Sequence, residues 1–417
     1  MSIQQKKLNV GLFGFGVVGS GLYKVLQQTT SLNAEIKKVC IKHPEKERPA
    51  PKELFTIDPE ILLGDDSINV VVELIDDADA AFQIVSRALI SGKAVVSANK
   101  KMIAEHLPEL LAIQEKYKTP FLYESACCAS IPVIRNLEEY YDNDLLQSVS
   151  GIVNGSTNYI LTRVFEDKLD FQQALKLAQE EGFAESNPAL DVEGIDAVNK
   201  LSILLAHAYG IVSDPTDLVH SGIQNLHAHD AVYAKEKGFE IKLVAQAKKL
   251  ENGEVAAFVL PQFVKQDNQL HTVKNEYNGV VIESGLADKQ FFYGKGAGSF
   301  PTASAVLSDL SALRYDYKYE YKKLNAGSVP VLTNDFYLRV YVSFEGLLHV
   351  PHERFEHIEE WSSNDKRCNV VGIVRFSRLK ESDWWKRKNV SLIVCADAFA
   401  NFVSERKHAK EIELIPV

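Results

Sequence analysis

Asp196 and Lys200 lie four positions apart, a separation that on a helix puts a carboxylate and an amine on one face, a turn from each other. Such a pair can converge on one small molecule and move its protons. The residues leading up to it, Gly182-Phe183-Ala184-Glu185-Ser186-Asn187-Pro188 and then Asp191-Val192-Glu193-Gly194-Ile195, crowd acids at the start of that helix. In an isolated, exposed helix an ordinary i,i+4 salt bridge would be the better reading. Here Leu201, Leu204, Leu205 and Ala208 extend an apolar helix toward Gly210, so Lys200 emerges beside a buried face. His207, inside the same apolar stretch, reads as a packed or surface residue and not as a catalyst.

A second constellation stands near the N-terminus, at Gly14-Phe15-Gly16-Val17-Val18-Gly19. A short apolar run precedes it over 8–13, and helical spacing of apolar residues follows from Val17 to Leu26, so the glycines occupy a strand-to-helix turn. In that context Gly14 permits the tight turn, Gly16 lets a pyrophosphate approach the backbone, and Gly19 lets helix and strand pack closely. Free N–H groups over Phe15, Val17 and Val18 at the helix start would hold the phosphates. The competing reading is a glycine-rich turn with no ligand. After the next strand the chain reads Lys42-His43-Pro44-Glu45-Lys46, with no acid at the strand end where a ribose hydroxyl would be bound. Basic groups there suit a 2′-phosphate, which favours NADP(H) and leaves NAD open; a solvated basic loop is the alternative.

These groups need a scaffold. Apolar strands at 36–41, 70–75 and 94–97 alternate with helical intervals at 80–91 and 107–117, the rhythm of a parallel, doubly wound sheet of the Rossmann type. At 417 residues the chain is long enough for two or three domains. A net charge of -10, with no concentrated basic run, argues against a nucleic-acid surface and for a small or zwitterionic substrate. Five cysteines without CxxC spacing suit a reducing compartment, here the cytoplasm, and provide neither a zinc site nor a disulfide framework. No apolar run reaches the ~18 residues of a membrane span, and no cleavable leader pattern follows Met1.

With Val96-Ser97-Ala98-Asn99-Lys100 and Gly151-Ile152-Val153-Asn154-Gly155-Ser156-Thr157-Asn158-Tyr159-Ile160-Leu161, the chain resembles the homoserine dehydrogenases. The likeness runs through the Gly-Phe-Ala-Glu segment to Lys200 and resumes at Gly294-Lys295-Gly296-Ala297-Gly298 and Pro301-Thr302-Ala303-Ser304-Ala305, about three quarters of the sequence. It implies NAD(P)-linked interconversion of L-homoserine and L-aspartate 4-semialdehyde, on the route to threonine, methionine and isoleucine. It also implies roles: Lys200 as proton donor and acceptor, its pKa lowered by burial; Lys100 near cofactor and substrate; Glu185 and Asp196 on the amino acid; Gly298 near the nicotinamide. Lys101, beside Lys100, reads as part of a solvated turn. Two other readings compete, a dehydrogenase of another small amino-acid aldehyde and a nucleotide-binding amino-acid sensor that no longer catalyses.

The implied layout is a nucleotide domain over 1–130, an α+β catalytic and dimerisation domain over 131–295, a segment over 296–325 returning to the nucleotide domain, and a small ACT-like module over 326–417. A homodimer is expected, and a monofunctional enzyme, since no kinase segment precedes Met1. Three departures from the family pattern stand out. The turn that binds sodium in relatives reads Glu124-Ser125-Ala126-Cys127-Cys128-Ala129-Ser130-Ile131-Pro132, with Cys128 and Ser130 in place of glycines, and leaves a cation site at Glu124 and the carbonyls of Cys127, Ala129 and Ile131. Asp76-Asp77 replace small residues near the cofactor and are expected to face solvent or cap a helix. In the last segment strands are expected at 336–342, 370–376 and 390–394, and helical or turn segments at 353–361 and 380–385. The ligand loop there, Ser343-Phe344-Glu345-Gly346-Leu347-Leu348, lacks the usual Asp and Pro, which argues for a structural or dimer-supporting role over threonine feedback.

Overall fold

A computed structural model describes residues 6–143, 145–345, 352–363 and 367–400. The first half carries six parallel strands, β1 (Leu8–Phe13), β2 (Ala34–Cys40), β3 (Phe55–Thr56), β4 (Val70–Glu73), β5 (Ala94–Ser97) and β6 (Phe121–Leu122), ordered 3-2-1-4-5-6. That order reverses direction between β1 and β4, which opens the crevice at the strand ends where nucleotides bind. The central strands read as near-continuous Val and Leu because helices cover both faces. Strand and helix positions agree with the sequence reading to within a few residues, except at 107–117. There the helix begins seven residues earlier, at Lys100, and runs to Tyr117 across a kink at His106, just before Pro108. Asn99 starts it by accepting the N–H of Met102 at 3.0 Å.

The second half is built on one mixed sheet. Its strands are β7 (Leu146–Ile152), β8 (Val219–His220), β9 (Phe239–Lys249), β10 (Val255–Lys265), β11 (Tyr277–Ser284), β12 (Asp288–Lys295), β13 (Tyr337–Glu345), β14 (His357–Ser363), β15 (Arg367–Arg375) and β16 (Val390–Phe399). They lie in the order 12-11-7-9-10-16-13-15-14, with β8 added to β10. The buried helix Ile195–Tyr209 packs on β9 and β10, and fourteen of its fifteen residues are buried, so it is core on every side. The helix Ser299–Leu313 leaves this half and lies against the first helix of the nucleotide half, where Ser299 Oγ donates to Val17 O at 2.8 Å.

The last segment extends the same sheet. β16 meets β10 in parallel at Gln262 and Val394, and Phe336, Val340, Phe376 and Val394 share a core with Ala256, Phe258 and Leu260. Its four strands run antiparallel in the order β16-β13-β15-β14, with the helix Phe376–Lys380 in the second crossover. This is the strand order of a split β-α-β unit. The stretch 353–361, expected to be helical or a turn, is instead a 3-10 turn and then strand β14. β14 is an edge strand exposed on both faces, so it lacks the in-out alternation that would have revealed it. Of the expected ligand loop, Gly346, Leu347 and Leu348 lie outside the described residues. No helix among the described residues is long and apolar enough to cross a membrane.

Candidate active site

The glycine turn is tied to the neighbouring strand by Gly14 N–H donating to Cys40 O at 3.0 Å. Gly14 has φ 94, and a Cβ on it would meet Leu74 O at 2.4 Å; a Cβ on Gly19 would meet Gly14 O at 2.3 Å. Both glycines are demanded by packing. A Cβ on Gly16 would meet nothing within 4 Å, so the open approach to the N-terminus of the Val17–Gln28 helix lies there. That is the space a pyrophosphate needs. Phe15 is half-buried and packs edge-on against Tyr23 and Phe55, while Val17 stays exposed. Lys42, His43 and Lys46 form an exposed loop directly after β2. Arg48, which the sequence reading did not single out, stacks its guanidinium 5.5 Å from the Phe55 ring centre and donates to Lys46 O at 2.7 Å.

From this turn a cavity of about 670 Å³ runs between the two halves. Val18, Leu74, Ile75, Asp76, Ala98 and Lys100 line its nucleotide side, and Asn154, Asp191, Asp196 and Lys200 line the other; Gly298, at φ 116, lines it as well. The chemistry gathers around Asp196. Lys200 Nζ donates to Asp196 Oδ2 at 2.8 Å and to Val153 O at 2.6 Å, and Lys100 Nζ reaches Asp196 Oδ1 at 3.0 Å. Asn154 donates to Asp196 Oδ2 at 2.8 Å and to Asp191 Oδ1 at 2.7 Å, while its own Oδ1 accepts from Thr157 N–H and starts the Gly155–Glu166 helix. Gly194 at φ 82 provides the turn that aims the Asp196 helix into the cavity.

Burial by itself would push the Asp196 carboxyl up, but Lys100, Lys200 and the Asn154 amide outweigh it and hold it well below the usual carboxylate range. Burial likewise works to strip the proton from Lys200. Asp196 and the neighbouring Cys128 thiol overcome that and raise its pKa above the ordinary lysine value, which reverses the lowering expected from burial alone. Lys200 is thus a buried ammonium that can give a proton. Asp191, half-buried beside Asp196, is raised by burial and by that second carboxylate.

Some expected residues stand elsewhere. Glu185 is exposed on the turn after the Phe171–Glu180 helix and does not line the cavity; its carbonyl accepts from Gln179 at 2.9 Å. Glu193 is also exposed. Lys101 is exposed and lies 3.8 Å from Glu105, as a solvated residue would. Asp77 caps the Ala78–Ile90 helix by accepting Ala80 N–H at 3.0 Å, and Asp76 is exposed to solvent, as expected, while also lining the cavity. Asn154 and Asp191 were passed over as ligands, although Asn154 sits within the Asn-Gly-Ser-Thr-Asn motif.

The structure gives the expected sodium site no support from its carboxylate. The two oxygens of Glu124 accept the N–H groups of Ile134 at 2.9 Å and Arg135 at 2.8 Å, so this carboxyl caps the Val133–Glu139 helix. Cys128 O accepts Ile131 N–H at 3.0 Å, which closes the turn on itself. The left-handed positions are Cys128 at φ 58 and Ala129 at φ 41, with Cys127, Cys128, Ala129 and Ile131 all buried as packing residues. Among the described residues no group of three or more His, Cys, Asp or Glu could hold a metal ion.

A glycine turn at the switch point of a 3-2-1-4-5-6 parallel sheet, facing a lysine and carboxylate pair across a cavity between the two halves, defines an oxidoreductase of the nicotinamide-dinucleotide class. The profile described as homoserine dehydrogenase matches residues 132–311, and that described as homoserine dehydrogenase, NAD binding domain, matches 14–124. Homoserine dehydrogenase of Bacillus subtilis (strain 168) is 36% identical over 317 residues, 74% of this chain and 73% of that one; its counterpart in Helicobacter pylori is 37% identical over 313 residues, 73% of each. The chain belongs to the homoserine dehydrogenase family. The likeness of fold extends further than the sequence matches: a homoserine dehydrogenase crystal structure from Thiobacillus denitrificans superposes with a TM-score of 0.83 at 28% identity, covering 94% of this chain and 99% of that one. A hyperthermophilic archaeal homoserine dehydrogenase in complex with NADPH gives a TM-score of 0.64 at 25% identity, covering 75% and 99%.

Proposed function

We propose that the protein interconverts L-homoserine and L-aspartate 4-semialdehyde, with NADP(H) preferred over NAD(H). The observation that carries this reading is the buried Lys200 ammonium, held by Asp196 on a cavity that opens from the glycine turn. When bound, the nicotinamide supplies or accepts the hydride. In reduction Lys200 Nζ gives a proton to the aldehyde oxygen as that oxygen gains negative charge, so the alcohol leaves neutral. Asp196 keeps that ammonium in place and neutralises it when no substrate is present; Lys100 reaches the same carboxylate from the cofactor side and adds positive charge near the oxygen. The substrate's α-ammonium is assigned to Asp191 and Asp196, which line the cavity, and not to Glu185, which stands outside it. Reduction suits the resting state, because oxidation requires Lys200 to arrive without its proton. No cation step enters this scheme.

The cofactor preference rests on Lys42, His43, Lys46 and Arg48 standing where a 2′-phosphate would lie, beside the Cys40 carbonyl that holds Gly14. The reading includes a homodimer formed through the large mixed sheet, with the last segment supporting that sheet and not acting as a threonine sensor. Its setting is the reducing cytoplasm, in keeping with five free cysteines. Steady-state assays of the full chain with L-homoserine and with NADP⁺ or NAD⁺ in turn test it. The expected result is turnover with a kcat/KM for NADP⁺ about tenfold or more above that for NAD⁺, and loss of that preference when Lys42, Lys46 and Arg48 are neutralised. Absence of turnover with homoserine between pH 7 and 10 overturns the reaction. Light scattering decides the dimer.

A further inference from the structure

Glu73 ends β4, the strand beside the glycine turn, and its carboxyl is fully buried after Val70-Val71-Val72. A buried carboxyl is expensive unless its oxygens are used. Oε1 accepts Ile75 N–H at 2.7 Å and Oε2 accepts the Ser97 hydroxyl at 2.5 Å. Ser97 Oγ in turn accepts Asn99 N–H at 3.1 Å, and Asn99 donates from Nδ2 to Ile75 O at 3.1 Å while its Oδ1 starts the Lys100 helix. The main-chain oxygen of Glu73 accepts Ala98 N–H at 3.3 Å. One residue therefore binds together the two strand ends, 74–76 and 97–100, whose Leu74, Ile75, Asp76, Ala98 and Lys100 line the cavity.

The sheet does not need this carboxyl. β4 is paired along its length with β1 and β5, where Phe13 and Ser97 stand in register with Glu73, and an apolar side chain would fill the same core. We propose that Glu73 is a positioning residue which, in its ionised form and through Ser97 and Asn99, sets Lys100 against Asp196 and shapes the floor beneath the cofactor. The ionised form is the one these donors suit: Oε1 takes Ile75 N–H and Oε2 takes the Ser97 hydroxyl, whose oxygen also accepts Asn99 N–H, whereas a proton on Oε2 would turn the Ser97 hydrogen away from Glu73. Of the charged groups near it, Asp76 on the following loop acts on Glu73, while β1 presents Phe13 and β5 presents Ser97. Burial first and Asp76 to a lesser degree push this carboxyl up to about 7, so the switch between the two forms falls within the working range.

The inference rests on the role given to Lys100, so the test separates the two. Full-chain Glu73→Gln, Ser97→Ala and Ser97→Thr are compared with wild type, and Glu73→Gln is also made in a Lys100→Met background. Expected are a loss in kcat of about tenfold or more for Glu73→Gln, disappearance of a kcat/KM limb near pH 7 in that variant, and less than a twofold further loss when Lys100 is already methionine. Ser97→Ala should behave like Glu73→Gln and Ser97→Thr like wild type. Full multiplication of the two losses in the double variant, or an unaltered pH profile, overturns the proposal. If Glu73→Gln fails to fold, the Ser97 pair in the Lys100→Met background decides by the same criterion. Wild type that rejects homoserine sinks the assigned reaction; the variant ratios, read with whichever alcohol it accepts, still decide Glu73.

Discussion

Lys100 Nζ lies 3.0 Å from Asp196 Oδ1, although the two residues begin helices that belong to different halves of the molecule. Lys100 opens the helix that follows β5 of the nucleotide sheet, and Asp196 is on the buried helix against the large sheet. Their contact spans the cavity. Because Lys200 and Asn154 share the other oxygen of the same carboxylate, Asp196 is where cofactor side, substrate side and proton donor meet.

That arrangement gives the first prediction. Lys200→Met should lower kcat by roughly 10²-fold or more and leave NADPH affinity within about twofold, since the glycine turn is untouched. Asp196→Asn should act differently: it removes the charge that raises the Lys200 pKa, so the ammonium is left buried and its pKa falls. The rate of homoserine oxidation should then reach its plateau at lower pH than in wild type. A wild-type pH profile in Asp196→Asn, or substantial turnover in Lys200→Met, rules out the assigned proton route.

The three glycines of the turn should separate cleanly on substitution by alanine. Gly14→Ala and Gly19→Ala each drive a methyl against a backbone carbonyl, at 2.4 Å and 2.3 Å, and backbone cannot give way cheaply. Both should lower the melting temperature by several degrees or yield insoluble protein. Gly16→Ala meets nothing and should melt as wild type does, yet raise the KM for cofactor about tenfold or more by filling the pyrophosphate approach. Equal stability losses at all three positions would show that Gly16 is a packing glycine as well.

How far the sequence could lead depended on whether a signal was local. Gly14, Gly16 and Gly19 declare themselves because a turn, an open approach and a close packing each need a glycine at a fixed spacing. Asp196 and Lys200 share a helix, so their meeting was legible from a separation of four. Lys100 was visible as a motif, but its contact with Asp196 joins positions 96 residues apart and no periodicity carries that. Asn154 is legible in the sequence only as part of the Asn-Gly-Ser-Thr-Asn motif, and only the fold shows its amide bridging Asp191 and Asp196. The raised Lys200 pKa was misjudged for the same reason, since burial is readable from apolar neighbours while the opposing field of Asp196 is a matter of 2.8 Å. β14 escaped because an edge strand exposed on both faces has no alternation to read.

His207 sits on the Lys200 helix two turns further on and is almost fully enclosed. Its Nδ1 lies 2.6 Å from Glu138 Oε1 and its Nε2 lies 2.9 Å from the Tyr123 hydroxyl, which continues to Tyr321 at 2.9 Å. Replacing it by alanine strands a buried carboxyl and a phenol, which should cost about 3–5 kcal/mol. KM values for both substrates should stay near wild type in the surviving folded protein, because the network is behind the site and does not line the cavity. A His207→Ala protein of unchanged stability, or one that is stable but inactive, contradicts this purely structural role.

Stability should fall as pH rises from about 5 to about 8. Burial raises Glu73 and Asp309 to about 7 and, with Asp309 beside it, Glu124 to about 8, all above the values these groups have in the unfolded chain. Between the unfolded and folded values the native protein binds more protons than the unfolded one, so the slope of unfolding free energy with pH is negative in that window. Their contribution is complete below pH 4 and is lost as pH climbs through 7 to 8. Asp196 acts in the opposite sense: its carboxyl is held low, so what it adds is present above pH 4 and is lost below it. Lys242 and Lys323, lowered by burial to about 8, reverse the slope only at higher pH. Calorimetric melting at pH 5.5, 6.5 and 7.5 should therefore give a descending series, with protons released on unfolding. A rising series would mean that these three carboxyls are ionised in the native protein at acidic pH, through hydrogen bonds and Arg135 that outweigh their burial.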